Sequence, residues 1–120
     1  MRDAKVPDTS ACIFCKIIRG EIPAKTLVNN KEMIAFRDIA PQAPTHILIV
    51  PKKHVASLDD MADIDLLGRM MGLAAALARQ EHIAKTGYRT VINTGADGGQ
   101  SVDHLHIHLL GGRKMTWPPG

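Results

Sequence analysis

Aromatic residues are scarce in this 120-residue sequence, where one tryptophan, one tyrosine and two phenylalanines make up 3% of the chain. So few rings argue against a surface on which nucleic-acid bases stack. Long apolar segments are lacking too: no uncharged run approaches the roughly 20 residues of a membrane-spanning helix, and the polar start shows no secretory signal. We expect a cytoplasmic protein without a membrane partner, with a flexible arm over residues 1–10 and a single domain with a C-terminal tail over residues 11–120.

The positive charges lack the clustering that nucleic-acid binding requires. The formal net charge is +3, yet the 15 lysines and arginines are scattered, and the only tight groups are the pairs Lys52-Lys53 and Arg113-Lys114. Nucleic acid is therefore not expected as a partner. The hydrophobic fraction of 45% and the charged fraction of 22% are ordinary for globular proteins, so a folded core is expected instead of a disordered chain.

Apolar periodicity and turn residues predict five strands and two helices. A short helix is predicted over residues 12–19 and a long one over residues 64–82, where apolar residues recur every three to four positions. Ser57 and Asp60 resemble a capping box ahead of the long helix. The predicted strands cover residues 25–29, 33–36, 46–50, 89–93 and 105–110. Strands that come in runs, without alternating helices, favour an α+β fold with an antiparallel sheet.

Three histidines alternate with apolar residues in the last predicted strand. Because side chains alternate between the faces of a strand, His104, His106 and His108 are expected on one face and their apolar neighbours in the core. Packing is a poor explanation for three imidazoles in a row, since each ring has two nitrogens that need partners. Two chemistries use such a row: metal binding, or nucleophilic and acid–base catalysis.

A glycine-rich segment, residues 93–101 (NTGADGGQS), precedes the histidine row. Its three glycines allow close approach of the backbone to a ligand, and successive N–H groups in such a turn form an anion nest. Asn93 and Ser101 add side-chain donors. Because no lysine follows, the segment is not a Walker A loop. A glycine-rich loop is often a plain turn, but beside three histidines it suggests a phosphate held against a nucleophilic histidine.

The pattern HxHxHxx over residues 104–110 resembles the signature of the histidine-triad family, in particular its Hint branch. Further segments resemble that branch: residues 13–14, 16–19, 21–24, 35–36, 38–39, 41–46, 51–54, 87–89, 97–102 and 117–120. The resemblance implies a HIT-like α+β fold with a five-stranded antiparallel sheet, one long and one short helix. It also implies a homodimer that binds purine nucleoside monophosphates. Such an enzyme hydrolyses AMP- or GMP-linked phosphoramidates or acyl-adenylates.

The same resemblance implies roles for individual residues. His106 would be the nucleophile and form a nucleotidyl-histidine intermediate, while His108 and His46 would assist through hydrogen bonds and proton relay. Asn93, Gly99 and Ser101 would hold the α-phosphate, with Ser101 near the leaving amine. Asp38 would bind the ribose, although an aspartate before a proline is also a common turn residue. The remaining nucleotide-binding residues implied are apolar or aromatic: Ile13, Phe14, Ile17, Phe36, Ile39 and, in the tail, Trp117.

Cys12 and Cys15 form a CxxC motif at the predicted short helix, where residues three apart share a face. Two cysteines are half of a tetrahedral zinc site, and His54 and His104 are the candidates for the other half. The resemblance supports structural zinc, because many bacterial histidine-triad proteins pair a CxxC with two such histidines. Such an ion would leave His106 free, so no metal would be required for catalysis. The alternative is two buried free thiols.

Two departures from the Hint pattern and two rival functions stay open. Asp103 stands where the relatives often carry an aromatic residue, and Thr116 where they often carry histidine, so the leaving-group preference is not defined. One rival is a dinucleoside polyphosphate hydrolase of the same superfamily, against which residues 100–102 and 117–120 count. The other is a nucleotide-binding scaffold with incidental catalysis.

Overall fold

The computed structural model describes residues 9–120, so most of the predicted N-terminal arm, residues 1–8, lies outside the described residues. The helices are α1 (Ile13–Ile18), a 3₁₀ turn (Leu58–Asp60) and α2 (Ile64–Gln80). The strands are β1 (Thr26–Asn29), β2 (Met33–Arg37), β3 (Thr45–Pro51), β4 (Tyr88–Val91) and β5 (Ile107–Gly111). Neither α-helix of the described part is long and apolar enough to cross a membrane.

The five strands form one sheet in the order β1-β2-β3-β5-β4, and every neighbouring pair is antiparallel. This confirms the predicted α+β fold. β3 is central and buried along its whole length, as its apolar, β-branched sequence predicts. Because β3 pairs with β5 in the register His46↔Leu110 and Leu48↔His108, two of the histidines singled out from the sequence lie on neighbouring strands.

The two faces of the sheet bury different clusters. One face packs against α2, whose buried stripe is Leu66, Met70, Ala74, Leu77 and Ala78, whereas Met71 is partly exposed. The other face carries a smaller cluster built on Phe14, Ile34, Phe36, Leu48 and Val50. Helix α1 supplies Phe14 to this second face. The histidines singled out from the sequence lie on this face, where Phe14 of α1 meets the ring of His106.

The predicted capping box does not cap α2. Ser57 precedes the 3₁₀ turn, where its hydroxyl donates to Asp60 Oδ2 at 2.8 Å. The cap of α2 is Asp63, whose carboxylate accepts from the backbone N–H of Leu66 at 3.0 Å. Asp63 directly precedes the apolar stripe, so its carboxylate reaches the free N–H groups of the first helical turn.

Strand β5 begins two residues later than predicted. Continuing its register with β3 would pair Leu105 with Pro51, which has no N–H to donate to the ladder. Leu105 instead donates its N–H to the carbonyl of Val55 at 2.7 Å. His104 and His106 therefore lie in an irregular segment just before the strand, and this changes which backbone groups they meet. The strand predicted over residues 89–93 ends at Val91.

Candidate active site

The histidine row keeps the alternation that the sequence predicts, even though only His108 lies within β5. Leu105, Ile107 and Leu109 are buried in the cluster against α2. The rings of His106 and His108 approach each other with centroids 4.9 Å apart. Phe14 meets His104 and His106 edge-on, at centroid distances of 6.0 and 5.0 Å. The row thus lies on the face of the sheet that α1 covers.

His106 has its proton on the nitrogen that faces the protein. Its Nδ1 lies 2.7 Å from the carbonyl oxygen of His104. Because a carbonyl only accepts hydrogen bonds, Nδ1 carries the hydrogen and donates it. In the neutral ring the lone pair is then on Nε2, the form a nucleophilic imidazole requires. The backbone contact fixes both the tautomer and the ring orientation.

The backbone N–H of Gln42, His46 and His108 form a chain of hydrogen bonds, which we call the relay. That N–H donates to His46 Nδ1 at 3.0 Å, so the proton of a neutral His46 is on Nε2. His46 Nε2 lies 2.9 Å from His108 Nδ1 and donates to it. The remaining proton of His108 is then on its own Nε2, which is free to donate to a ligand.

Burial keeps the relay neutral. It lowers the pKa of His108 to about 4, with smaller effects from the charges of His106 and His46 in the same direction. Burial also lowers the pKa of His46, although the carboxylate of Asp38 opposes this. At neutral pH both rings are therefore uncharged, and the order of donors and acceptors from Gln42 to His108 is maintained.

Asp38 lies beside the relay at the end of β2. One carboxylate oxygen accepts from the N–H of Ala40 at 2.8 Å, which is the turn interaction expected of an aspartate here. The other oxygen lies 3.5 Å from His46 Nε2. Asp38, Ile39 and His46 also line a cavity of about 660 Å³. Asp38 thus serves the turn with one oxygen and keeps acceptor capacity for a ligand.

The glycine-rich loop is held together by Gln100, a residue for which the sequence pattern predicts no role. Its side-chain oxygen accepts from the N–H of Gly95 at 3.0 Å, and its amide donates to the carbonyls of Ala56 and Val102 at 2.7 and 3.0 Å. The loop also requires a glycine at position 98, because a Cβ there would lie 2.3 Å from the Thr94 carbonyl oxygen. A glutamine directly after two glycines was the available signal, but its partners are set by the fold.

The structure brings together only some of the residues that were predicted to bind the phosphate and the base of a nucleotide. Phe14 and Phe36 are buried edge-on with centroids 5.7 Å apart, and Ile17 packs beside them. Ile13 and Ser101 share a cavity of about 370 Å³, while Asn93 is half-buried and Gly99 exposed with φ +80°. Ile39 and Trp117 are 93% and 82% exposed. Neither side chain is enclosed by the described residues of this single chain.

Cys12, Cys15, His54 and His104 come together as predicted, and we call them the metal cluster. Their ligand atoms all lie within 4.8 Å of one another. His104 Nδ1 is 3.3 Å from Cys12 Sγ, 3.5 Å from Cys15 Sγ and 3.1 Å from His54 Nδ1, and Cys15 Sγ is 3.3 Å from His54 Nδ1. Ligand atoms of tetrahedral zinc, at bond lengths of about 2.0–2.3 Å, lie about 3.3–3.8 Å apart. Three of the four distances lie in this range and the distance between His54 Nδ1 and His104 Nδ1, 3.1 Å, is only slightly below it, so the spacing fits such an ion.

Proton positions in the metal cluster also suit a cation. His104 Nε2 donates to the carbonyl of Pro51 at 2.8 Å, so the lone pair of the neutral ring is on Nδ1 and faces the other ligands. Burial lowers the pKa of His104 to about 4, which keeps that lone pair available. Burial, followed by the neighbouring Cys12, raises the pKa of Cys15 to about 11, and a cation at this point would reverse that shift. The cluster could hold a metal ion.

Asp38, His46 and His108 also lie close enough together to be considered for a metal. Their protons argue otherwise. A ligating histidine donates its second N–H outward, but His46 accepts from the Gln42 N–H with its outer nitrogen and points its own proton inward. The arrangement suits the transfer of a proton between the two rings and does not suit coordination of a cation.

Comparison with known proteins gives consistent results. The sequence profile of the HIT domain matches residues 19–115. The chain is 50% identical over 105 residues to the purine nucleoside phosphoramidase of Escherichia coli (strain K12), across 86% of this chain and 88% of the relative. It is 47% identical over 121 residues to adenylylsulfatase HINT1 of Arabidopsis thaliana, across 98% and 82%. It is 49% identical over 118 residues to a 14 kDa zinc-binding protein of Zea mays, across 94% and 91%.

A solved structure gives the same result for the fold. The crystal structure of a HIT family hydrolase from Legionella pneumophila Philadelphia 1 superposes with a TM-score of 0.88 at 55% sequence identity. The superposition covers 91% of this chain and 99% of that one. The antiparallel sheet and its two helices are therefore shared with a solved protein over almost all of their length.

Proposed function

Since the chain belongs to the HIT family, we propose that it hydrolyses purine nucleoside phosphoramidates or acyl-adenylates, with His106 as the nucleophile. Relatives named as a phosphoramidase and as HINT1 support a hydrolase of the Hint branch. One observation carries the proposal: the hydrogen bond from His106 Nδ1 to the His104 carbonyl leaves the Nε2 lone pair for attack.

In the proposed first step, His106 Nε2 attacks the α-phosphorus and the P–N bond breaks, with its electron pair going to the leaving nitrogen. An amine leaves poorly unless it is protonated, so a proton donor is required. We assign the Ser101 hydroxyl to this role. His108 Nε2–H donates to a phosphoryl oxygen, and the loop N–H groups with Asn93 stabilise charge on the other oxygens. The product is a nucleotidyl-histidine and a free amine.

In the proposed second step, water attacks the same phosphorus and the bond to His106 breaks, so that Nε2 regains its electron pair. One proton of the water returns to Ser101, and the hydroxyl that stays on phosphorus completes the nucleoside monophosphate. Ser101 thus regains in the second step the proton that it donated in the first, and the net reaction consumes one water. Splitting the displacement in two through a covalent intermediate lowers each barrier.

The nucleoside would lie between Asp38 and the aromatic pair. Asp38 keeps a carboxylate oxygen that can accept from the ribose hydroxyls, and the buried Phe14 and Phe36 give an apolar floor for the base. Ile13 and Ile17 would complete that enclosure, and Ile39, which is exposed in the free chain and lines the cavity beside Asp38, would be covered by the nucleotide. Trp117 is too exposed in one chain to contribute to its own site. We therefore propose a homodimer in which the tail approaches the partner's site.

Zinc is the proposed occupant of the metal cluster. A relative named as a zinc-binding protein and the spacing of the four ligand atoms support this assignment. The ion would act structurally, joining α1 to the segment before β5. His104 would be the ligand nearest the chemistry, while the lone pair of His106 faces the substrate. We propose that the two chemical steps require no metal.

The sequence does not define the leaving group. Two relatives of similar identity have names that imply different leaving groups, an amine and a sulfate, on a nucleotide. We therefore assign binding residues only to the nucleoside monophosphate part of the substrate and not to the leaving group. A cytoplasmic location stays a prediction.

The test is turnover of an AMP-lysine-type phosphoramidate by the wild type and by His106→Asn. Asparagine keeps an N–H donor for the His104 carbonyl but has no nucleophilic nitrogen, so kcat should fall by about 10⁴-fold or more. The matched control is His82→Asn, at an exposed helix end with φ +61°, which asparagine tolerates. An alkaline quench of the wild type should trap an adenylyl group on His106.

Full activity of His106→Asn would overturn the assigned mechanism. A wild type that turns over dinucleoside polyphosphates faster than the phosphoramidate would favour the rival hydrolase. Binding of AMP without turnover of either substrate would favour the scaffold function. Each result is read from the same protein preparation.

A further inference from the structure

The loop over residues 38–44, which we call the relay loop, joins β2 to β3 and precedes His46. Its own polar groups fold it back on itself. Ala40 donates its N–H to Asp38 Oδ1 at 2.8 Å, and the side chain of Gln42 donates to the Ala40 carbonyl at 2.9 Å. The backbone N–H of Gln42 then meets His46 Nδ1. The orientation of this one N–H decides which nitrogen of His46 carries the proton.

A side chain from outside the relay loop holds its exposed part. Arg113 Nε donates to the carbonyl oxygen of Gln42 at 3.0 Å. Arg113 follows β5 by two residues, so the strand that carries His108 leads directly to it. The adjoining Gly112 has φ +89°, and a Cβ at that position would lie 2.9 Å from Pro44 Cβ. The segment after β5 therefore lies directly against the relay loop.

We propose that Arg113 is a positioning residue for the relay, which fixes the tautomer of His46 by holding the Gln42 backbone. Gln42 is exposed, so packing alone does not set its backbone orientation. The guanidinium is permanently charged and makes a stronger hydrogen bond to a carbonyl than a neutral donor would. The catalytic consequence rests on the proposed function, but the tautomer does not.

The competing explanation is that Arg113 only anchors the C-terminal tail. Its Nη1 donates to the carbonyl of the adjacent Lys114 at 3.3 Å. A second arginine separates the two roles: Arg89 Nη2 donates to the tail carbonyl of Thr116 at 2.9 Å, and within residues 9–120 its side chain makes no hydrogen bond to the relay loop. Arg89→Gln therefore loosens the tail with the Gln42 contact intact, and Arg113→Gln removes that contact.

The experiment measures two quantities in the full chain. The first is the ¹⁵N spectrum of the imidazoles in ligand-free wild type, Arg113→Gln, Arg113→Lys and Arg89→Gln. The second is kcat and KM for the AMP-lysine-type phosphoramidate. We expect His46 of Arg113→Gln to give averaged nitrogen shifts of two exchanging tautomers, with kcat about tenfold lower and KM unchanged. Arg113→Lys should restore part of the single-tautomer spectrum of His46 and part of kcat. Arg89→Gln should keep the His46 spectrum of the wild type.

The inference is overturned if His46 of Arg113→Gln keeps the single tautomer of the wild type. It is equally overturned if Arg89→Gln averages the His46 shifts as much as Arg113→Gln does. If Arg113→Gln fails to fold, the same comparison between Arg113→Lys and Arg89→Gln decides. Absence of wild-type turnover would count against the proposed function alone, because the tautomer is measured without substrate.

Discussion

The metal cluster and the relay lie on either side of His106 and use the same residue type for different purposes. In the metal cluster the outer nitrogen of His104 donates to the Pro51 carbonyl, so its lone pair faces three other ligand atoms. In the relay the outer nitrogen of His46 accepts from a backbone N–H, so its proton faces inward. In the proposed roles, the carbonyl against the outer nitrogen of His104 and the amide N–H against that of His46 would separate metal ligation from proton relay. The distances between side chains do not distinguish the two clusters, since the ligand atoms of both lie close together.

The largest expected effect is on metal content. Cys15→Ser replaces a thiolate ligand by a hydroxyl, which binds zinc poorly, so the variant should lose nearly all of its bound metal. Elemental analysis of purified wild type and variant gives the result directly. The matched control is Asp38→Asn in the other cluster, which should keep the wild-type metal content. Equal metal content in Cys15→Ser and wild type would remove Cys15 from the ligand set.

The next effect is on catalysis, with the metal left in place. His108→Ala removes the proposed donor to the phosphoryl oxygen, and kcat should fall about 10²-fold. Metal content should match the wild type, because the contacts of His108 are with His46 and His106 and not with the cysteines. Steady-state kinetics on the phosphoramidate, paired with elemental analysis, checks both statements.

Loss of metal from His108→Ala would contradict the separation of the two clusters. The reciprocal variant is His54→Ala, which should lose metal while the imidazole spectrum of His46 and His108 stays that of the wild type. A changed relay spectrum in His54→Ala would show that the clusters are coupled.

Much of the fold and of the two histidine clusters could be predicted from the sequence, because these features follow from short-range patterns. Alternation along one segment placed three histidines opposite Leu105, Ile107 and Leu109, and the structure confirms it. The CxxC spacing and two further histidines predicted the metal cluster, whose atoms indeed meet. A 3.6-residue stripe predicted α2, and an apolar run predicted the buried β3.

The proton positions could not be predicted, because they depend on backbone groups brought from elsewhere in the chain. The Pro51 carbonyl reaches His104 from 53 residues away, and the start of β5 depends on the missing N–H of that same proline. The amide of Gln100 reaches the carbonyl of Ala56 across 44 residues. Such partners follow from the register of the sheet and the path of the loops. Exposed Ile39 and Trp117 show a different limit, since one chain does not enclose them.

The smallest expected effect is on the pH dependence of stability, and it concerns the relay. Burial lowers the pKa of His108 to about 4, against an ordinary value of about 6.5 for the unfolded chain. Well above pH 6.5 the His108 ring is neutral in both the folded and the unfolded chain, so it does not lower the free energy of unfolding. As the pH falls from about 6.5 to about 4, the unfolded chain binds a proton that the folded ring excludes, so stability is lost through that window. His108→Asn should therefore show a smaller drop in the free energy of unfolding between pH 7 and pH 5, measured by urea titration of metal-loaded protein. The same drop in both proteins would mean that His108 titrates in the folded state as it does in the unfolded chain, and the relay would then be charged at pH 5.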